Sequence, residues 1–318
     1  MVTTAIDDSD GGAIQCARLE GAGRRALITG VAGFTGAYLA AELGAAGYRV
    51  FGSGMPGAPA GAGCETVEAD LLDRTAVDRM VEQVRPDVVV HLAAIAFVAH
   101  ADAGQFYGVN IVGTRNLLEA LAAQQRKPSA VLLASSANVY GNANAGLIDE
   151  YVLPSPANDY AVSKLAMEYM ARLWNDKLPI VIARPFNYTG VGQSDKFLLP
   201  KIVNHFRSGA RWIELGNLAV ARDFSDVRSV AAVYRRMLAA CAPGETYNVC
   251  SGQAHSLAGV IDTMTAIAGY QIGVRINPAY VRSNDVRVLV GNNDKLRHAI
   301  GDIAPIALVD TLRWMYEA

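Results

Sequence analysis

Short runs of apolar residues recur through the first 187 residues of the chain, separated by longer segments with helical periodicity. The apolar runs occupy residues 26–29, 48–52, 66–69, 87–94, 130–136 and 179–184. Such runs are expected of strands buried on both faces of a parallel sheet. The helical segments include residues 38–43, 74–84, 110–125 and 159–175. This alternation predicts an α/β fold built on a doubly wound parallel sheet.

Three glycines follow the first apolar run at intervals of three residues, at Gly30, Gly33 and Gly36. The first permits a tight turn, the second lets the backbone approach a pyrophosphate, and the third lets helix pack on strand. The helix that follows presents unpaired N–H groups to an anion. A glycine triplet alone is a weak signal, but between a strand and a helix it predicts a dinucleotide site that includes Phe34 and Thr35.

Further cofactor contacts are expected where the next strands end. An acid at the end of the second strand would bind the 2′-hydroxyl of NAD, and an arginine would bind the 2′-phosphate of NADP. Residues 52–55 read Gly-Ser-Gly-Met and contain neither, which slightly favours NADP(H) over NAD(H), with Ser53 as a small donor. Asp70 could bind the adenine amino group or cap the helix that starts at Arg74. The other predicted cofactor contacts at strand ends are Leu71, Leu92, Ala93 and Ala94.

Two polar residues near the fourth strand have structural interpretations. His91 lies within an apolar run, so we expect it to be a hydrogen-bonded core residue. Asn110 begins the next helix, and its amide could brace the strands of the active site.

A catalytic group is predicted from Ser136, Tyr160 and Lys164. Ser136 ends the fifth strand, and Tyr160 and Lys164 are four residues apart on one face of the following helix. A tyrosine with a pKa of about 10 exchanges protons poorly at neutral pH. We expect the lysine ammonium to lower that pKa and the serine hydroxyl to donate to the same substrate oxygen.

The pattern loosens after residue 187. We therefore expect a dinucleotide-binding domain over residues 24–187 and mainly a substrate lobe over 188–318, with residues 216–250 returning to the first domain. Residues 1–23 lack periodicity and predict a mobile extension, although residues 13–17 could add an edge strand.

Composition removes several classes of function. The chain has 318 residues, of which 52% are hydrophobic, and its formal charge is −2, so nothing favours nucleic acid or an anionic membrane as a partner. We find no apolar run long enough to span a bilayer and no N-terminal signal. The four cysteines are scattered, so neither disulfides nor a metal site is expected, and the cytoplasm is the default location.

The glycine turn, Ser136 and the Tyr160-x-x-x-Lys164 pair together resemble the extended short-chain dehydrogenase/reductase family, over nearly the whole chain from Arg25. The resemblance implies a Rossmann fold with a smaller α/β substrate lobe and hydride transfer between NAD(P) and a nucleotide-activated sugar. It also implies that the three residues form the catalytic triad. Pro185 and Asn187 would border the nicotinamide and the substrate.

The second half is similar to GDP-mannose 4,6-dehydratases and their sister reductases, which form GDP-rhamnose. Residues 183–193 resemble ARPFNHTGPGQ, residues 216–228 resemble GNLxxxRDFxDVRD, and residues 247–252 match YNVCSG. Residues 281–286 resemble LRPSDV, with Ser-Asn in place of Pro-Ser. A nucleoside diphosphate requires guanidinium groups. The substrate contacts implied are Asn138, Asn187, Lys201, Asn217, Arg222, Arg282 and Asp285; Arg184 is instead expected to form a structural ion pair.

Asn138 decides between the two activities. The dehydratases carry a glutamate here that moves the protons of water elimination, and an amide cannot do this. We therefore predict a 4-keto reductase that consumes NADPH or NADH and forms GDP-D-rhamnose, with the C4 epimer GDP-6-deoxy-talose as an alternative product. A dehydratase or epimerase would retain its cofactor through turnover. A dinucleotide-sensing regulatory protein is a further alternative, which the intact triad disfavours.

The resemblance also implies a homodimer or a tetramer, assembled through helices 110–125 and 160–175. Both carry extended apolar faces, which includes Leu165, Met167, Met170 and Leu173 in the second helix. Burial of that face against the chain's own sheet is the simpler explanation.

Overall fold

The structure is a computed structural model that describes residues 19–59, 61–95, 102–141, 146–218, 220–280 and 288–318. The strands are β1 (Arg25–Thr29), β2 (Arg49–Gly54), β3 (Glu65–Glu68), β4 (Val88–His91), β5 (Ala130–Ala134), β6 (Leu147–Ile148), β7 (Ile180–Pro185), β8 (Asn187–Thr189), β9 (Trp212–Leu215), β10 (Ala221–Asp226), β11 (Thr246–Val249), β12 (Ala254–Ser256), β13 (Gly273–Ile276) and β14 (Val288–Gly291). The α-helices are α1 (Phe34–Ala45), α2 (Arg74–Val84), α3 (Ala103–Tyr107), α4 (Thr114–Ala123), α5 (Asp159–Arg172), α6 (Leu198–Arg207), α7 (Val227–Ala240), α8 (Leu257–Ala268), α9 (Asp294–Ile300) and α10 (Leu308–Glu317). A π-helix spans Gly108–Gly113, and 3₁₀ helices span Ala137–Tyr140 and Pro278–Tyr280.

A seven-stranded sheet forms the centre of the molecule, in the order β11-β7-β5-β4-β1-β2-β3. Every neighbouring pair in it is parallel. All six strands predicted from the apolar runs lie in this sheet, so the doubly wound α/β prediction is confirmed. The seventh strand, β11, comes from residues 246–249, within the segment predicted to return to the first domain.

Helices cover both faces of this sheet, which explains the near-continuous apolar character of its strands. The faces of α1 and α7 pack on one side, and those of α2, α4 and α5 pack on the other. All four residues of β4 are buried, and the branched side chains of Val88, Val89 and Val90 suit this position between two helical layers. Full burial of each such side chain contributes about 1.5–3 kcal/mol.

The smaller lobe is built around β10. This strand pairs with β8 and β14 in parallel and with β12 in antiparallel orientation, and β14 also pairs with β6. A second, two-stranded parallel sheet joins β9 to β13. The apolar faces of α6, α8 and α10 share one core with these strands. Strand β6 thus belongs to the lobe, although its residues fall inside the range predicted for the first domain.

The two ends of the described chain do not follow the predicted division into an extension, a dinucleotide-binding domain and a substrate lobe. Residues 1–18 lie outside the described part, and so does the possible edge strand 13–17. Residues 19–23 of the predicted extension form a turn held against the end of α1, because the N–H of Gly21 donates to the carbonyl of Ala46 at 2.9 Å. A side chain at Gly21 would collide with the ring of Tyr48. Near the other end, α9 packs against α7 and β11 of the large sheet.

In the described part of the chain, no helix combines the length and apolar character needed to cross a membrane. Among the same residues, no cluster of three or more His, Cys, Asp or Glu side chains is placed to hold a metal ion.

Candidate active site

The glycine turn between β1 and α1 has the form of a phosphate cradle. Gly30 adopts φ +74°, and a side chain there would lie 2.8 Å from the backbone of Ala93. A side chain at Gly36 would lie 2.5 Å from the carbonyl oxygen of Val31, so glycine is needed for α1 to approach β1. Gly33 meets only the carbonyl of Gly30, at 3.2 Å, and caps α1 without any side-chain hydrogen bond. The first N–H groups of α1 can therefore receive a pyrophosphate, and the cradle fits a dinucleotide.

The side chains of Phe34 and Thr35 face the smaller lobe. The Thr35 hydroxyl lies 2.8 Å from the hydroxyl of Tyr188 on β8, and the rings of Phe34 and Tyr188 stack at 6.1 Å with an interplanar angle of 11°. Sequence reasoning predicted both as cofactor contacts, but their side chains are engaged elsewhere. What remains for a dinucleotide is their backbone N–H groups.

Ser53 lies at the penultimate position of β2 and is 2% exposed. Its carbonyl accepts the N–H of Gly30 at 2.9 Å and that of Val31 at 3.3 Å. The contribution of Ser53 visible in the structure is thus to hold the glycine turn in place.

Asp70 and Leu71 follow β3 at the edge of the sheet. Asp70 accepts the N–H of Leu72 at 2.9 Å, whereas Asp73 accepts the N–H groups of Thr75 and Ala76 and caps α2. The interpretation of Asp70 as the cap of α2 is therefore wrong, because Asp73 is the residue directly before the helix. Leu71 is buried, and its carbonyl accepts the side-chain amide of Asn116 at 2.8 Å.

His91 belongs to a buried chain of hydrogen bonds with a defined direction. The Thr114 hydroxyl donates to the carbonyl of Asn110, so it accepts from Nε2 of His91 at 2.8 Å. Nδ1 then accepts the Thr29 hydroxyl at 2.7 Å, and that hydroxyl accepts the N–H of Ala93 at 3.3 Å. Burial, followed by the charge of Lys164, lowers the pKa of His91 to about 3. The core interpretation of His91 is confirmed, and the neutral ring orders the end of β4.

Residues Leu92, Ala93 and Ala94 continue from β4 towards the cradle. All three are half-buried, and the N–H of Leu92 donates to the carbonyl of Thr29 at 3.1 Å. The structure therefore holds this backbone beside the turn at Gly30, where the sequence predicted cofactor contacts.

Asn110 lies in the π-helix and ties this strand end to α5. Its side-chain oxygen accepts the N–H of Ile95 at 3.1 Å, and its amide donates to the Ser163 hydroxyl at 2.9 Å. Ser163 in turn donates to the carbonyl of Tyr160 at 2.8 Å. The predicted bracing role is confirmed, and it reaches the backbone of the predicted catalytic tyrosine.

The structure brings the three predicted catalytic residues to one edge of the sheet. Ser136, Tyr160 and Lys164 are 8%, 8% and 4% exposed. The Ser136 hydroxyl accepts the N–H of Asn138 at 3.1 Å and also hydrogen-bonds with Tyr160. The Lys164 ammonium donates to the carbonyl of Ala134 at 2.7 Å, at the end of β5. The arrangement can present two hydroxyl donors to one substrate oxygen.

The proton affinities at this edge differ from the expectation. Burial raises the pKa of Tyr160 to about 12, and hydrogen bonding with Ser136 only partly opposes it. The net shift is therefore upward, opposite to the predicted lowering, because desolvation of the phenolate is its largest cause. Burial also lowers the pKa of Lys164 to about 8, against the opposing charge of Glu168. At neutral pH the tyrosine is a protonated phenol and the lysine remains mainly charged.

A buried ion pair lies next to the residues of the predicted catalytic group. Arg184 binds Glu168 through two nitrogens at 2.9 and 2.6 Å, and the pair is almost completely buried. Ser135 donates to the same carboxylate at 2.5 Å, and Arg184 also donates to the hydroxyl of Tyr140 at 2.9 Å. The structural interpretation of Arg184 is confirmed. Because Ser135 precedes Ser136, this network fixes the backbone that carries the catalytic serine.

Pro185 and Asn187 lie on either side of Phe186, where the chain passes from β7 to β8. Pro185 is buried opposite Val249 of β11, while Asn187 is exposed and donates to the carbonyl of Asp223 at 3.2 Å. The chain thus enters the lobe directly from the catalytic edge of the sheet.

The other predicted substrate residues are spread over the lobe. Lys201 on α6 donates to the carbonyl of Glu214 at 2.9 Å and lies 4.4 Å from the ring centre of Tyr280. Asn217 follows β9, and Arg222 in β10 donates to the carbonyl of Ala221 at 2.9 Å; both side chains are half-buried. The two remaining predicted residues, Arg282 and Asp285, lie outside the described residues.

Two carboxylates of the residue 216–228 segment have structural functions that the sequence analysis did not assign. Asp223 is fully buried and accepts the N–H and hydroxyl of Ser251 at 2.8 and 2.7 Å and the N–H of Gly252 at 2.9 Å. Asp226 caps α7 and accepts the hydroxyl of Thr311 at 2.7 Å. Buried carboxylates require such hydrogen-bond partners.

The fold and the site define a dinucleotide-binding enzyme of the extended short-chain type. Residues 26–250 match the NAD-dependent epimerase/dehydratase family, and the chain belongs to that family.

Two relatives narrow the comparison. GDP-6-deoxy-D-talose 4-dehydrogenase of Aggregatibacter actinomycetemcomitans is 33% identical over 87% of this chain and 91% of its own. GDP-6-deoxy-D-mannose reductase of Pseudomonas aeruginosa is 34% identical over 91% of this chain and 95% of its own. The chain is thus similar to nucleotide-sugar oxidoreductases.

Solved structures share the fold over nearly the whole chain. A crystal structure from Burkholderia cenocepacia J2315, provisionally described as an epimerase, is 56% identical, with a TM-score of 0.89 over 93% of this chain and 98% of that one. RMD from Pseudomonas aeruginosa, complexed with NADPH, is 32% identical, with a TM-score of 0.80 over 92% and 98% of the two chains.

Proposed function

We propose that the protein is an NAD(P)H-dependent reductase of the 4-keto group of a GDP-4-keto-6-deoxy-hexose. The favoured reaction converts GDP-4-keto-6-deoxy-D-mannose to GDP-D-rhamnose. The single observation that carries the choice of reductase is Asn138, the exposed residue of the otherwise buried 3₁₀ turn that follows Ser136. An amide at this position cannot move the protons that a 4,6-dehydratase must move, whereas ketone reduction has no such requirement.

The protonation state of the edge fits reduction. The reduced nicotinamide, when bound, supplies a hydride to C4 of the sugar. With its pKa raised to about 12, Tyr160 keeps its phenolic proton at neutral pH and can transfer it to O4 as the carbonyl becomes an alcohol. Ser136 donates a hydrogen bond to the same oxygen. The Lys164 ammonium stabilises the phenolate until solvent returns the proton.

The stereochemistry at C4 has two candidates, since facial selectivity depends on how the sugar docks. The similarity to the Pseudomonas reductase supports the rhamnose product. The similarity to the Aggregatibacter enzyme supports 6-deoxy-talose as the second candidate. For either product we place the substrate diphosphate in the lobe near Arg222.

We also propose a cytoplasmic homodimer. On α5, Met167 is buried and Leu165 and Met170 are half-buried, so the predicted apolar face largely serves the chain's own core. Tyr169 on α5 and Leu173, which directly follows the helix, are 58% and 76% exposed, however, and they form an outward apolar surface at its C-terminal end. This surface supports helix-to-helix pairing between two copies.

The test is to incubate the purified protein separately with GDP-mannose and with GDP-4-keto-6-deoxy-mannose, following NAD(P)H absorbance and product NMR. Cofactor oxidation with only the keto sugar is expected, and the coupling of the C4 proton identifies rhamnose or talose. Tyr160→Phe should abolish turnover, while Tyr169→Phe, on the exposed side of the same helix, should retain it. Conversion of GDP-mannose to a keto sugar without net cofactor change would refute the reductase.

A further inference from the structure

We propose that Glu68 makes this enzyme select NADH over NADPH. The inference deepens the proposed function, but it rests only on dinucleotide binding at the glycine turn. It concerns the adenosine ribose, whose 2′-hydroxyl is free in NADH and phosphorylated in NADPH.

Strand β2 ends at Gly54, the position from which a side chain would normally read the ribose. The adjacent strand β3 pairs with β2 in parallel, and Glu68 is the register partner of Gly54. Register partners in a parallel sheet are about 4.8 Å apart and point to the same face. Glu68 therefore places a carboxylate beside the position that lacks a side chain.

The face in question is the one that carries the glycine turn. Gly52 precedes Gly54 by two residues and shares its face, and a side chain at Gly52 would meet Val31 of that turn. Val67 points the opposite way, into the core beneath α2 and α4. Glu68 is exposed on the turn's side of the sheet.

The loop after β2 holds this carboxylate in place. The N–H of Gly57 donates to one carboxylate oxygen of Glu68 at 3.0 Å. A side chain at Gly54 would meet Ala58 of the same loop at 3.5 Å, so the loop folds over the end of β2. The loop backbone thus positions the carboxylate of Glu68 beside the end of β2.

The surrounding charges favour an unphosphorylated ribose. Residues 50–73 contain no lysine or arginine. Arg49 pairs with Glu65 at the other end of the strands, and Arg74 pairs with Asp78 and Glu119. Within the described residues 49–59 and 61–74, a 2′-phosphate would therefore meet a carboxylate, and both guanidinium groups are already paired with other acids. A 2′-hydroxyl could instead donate a hydrogen bond to that acid.

The test measures dissociation constants of NADH and NADPH by fluorescence titration for the wild type, Glu68→Gln and Glu65→Gln. The wild type should bind NADH at least about tenfold more tightly than NADPH. Glu68→Gln keeps an acceptor for Gly57 and should bring the ratio close to one, mainly by tightening NADPH. Glu65→Gln removes an equivalent charge from the far end of β3 and should leave the ratio unchanged.

Tighter binding of NADPH by the wild type, or an unchanged ratio in Glu68→Gln, would overturn the inference and leave the reductase proposal intact. Selective NADH binding without turnover of the keto sugar would support the inference about Glu68 and overturn the reductase proposal. Because affinity is measured without substrate, the two results cannot be confused.

Discussion

Replacing Lys164 by methionine should stabilise the protein at pH 7 while abolishing the proposed reductase activity. The lysine is 4% exposed, and burial lowers its pKa from 10.5 to about 8. A buried ammonium is therefore maintained at a cost in folding free energy, which a methionine of similar length would not carry. Most core substitutions destabilise a protein, so the predicted sign is unusual.

The magnitude follows from that shift. A change of about 2.5 in pKa corresponds to about 3 kcal/mol against folding at a pH below the folded-state pKa. The substitution also removes the donor to the carbonyl of Ala134, and an unsatisfied buried acceptor costs about 1–3 kcal/mol. The difference leaves Lys164→Met more stable than the wild type by up to about 2 kcal/mol at pH 7.

The change of this stability difference with pH is a second, independent test of the prediction. Between about pH 8 and pH 10.5 the unfolded lysine binds a proton that the folded one has released, so wild-type stability from this group rises with pH. The advantage of Lys164→Met should therefore shrink as the pH is raised from about 7 to about 10. Contributions common to both proteins cancel in the comparison.

The assay is urea unfolding across this pH range, without added cofactor, alongside keto-sugar reduction. Lys127→Met is the matched control, because Lys127 also donates to a backbone carbonyl, at 2.8 Å, but is exposed. The control should change stability by less than about 0.5 kcal/mol at every pH. The reasoning is refuted if Lys164→Met is less stable than the wild type at pH 7, or if its advantage does not narrow.

Three further variants test other parts of the site. Gly30→Ala should abolish NAD(P)H binding in a fluorescence titration, because the new methyl group would meet the backbone of Ala93 at 2.8 Å; near-normal affinity would contradict the cradle. Glu168→Gln should lower the free energy of unfolding by about 3–5 kcal/mol, since it leaves the charge of Arg184 buried and unpaired; a loss below about 1 kcal/mol in urea would contradict this. Tyr188→Phe removes a hydrogen bond from the first turn of α1 and should weaken cofactor affinity several-fold with little change in melting temperature; an equal loss of both would indicate a purely structural contact.

Local sequence patterns were sufficient for much of the fold. Six strands of the large sheet were predicted because strands buried on both faces need short, continuous apolar runs, and the helical segments between them favour parallel pairing. The glycine turn was predicted because its backbone tolerates no side chain at Gly30 and Gly36. The buried roles of His91 and Arg184 also followed, since polar groups inside apolar strands must find partners.

Local sequence patterns could not predict the pairing of segments that are distant in the chain. Two residues in β6 join a strand that follows 140 residues later, and no local periodicity records this. Tyr188 contacts Thr35 across 153 residues of sequence, so its role could not be read from spacing.

The sequence by itself determined the class of chemistry, because the residue types of the glycine turn and of Ser136, Tyr160 and Lys164 are fixed by what they must do. Only the tertiary structure decided their proton affinities, since desolvation depends on everything that packs around a group, and it reversed the expected shift of Tyr160. It likewise brought Glu68 beside Gly54, because neighbours across a sheet are set by strand register and not by sequence order.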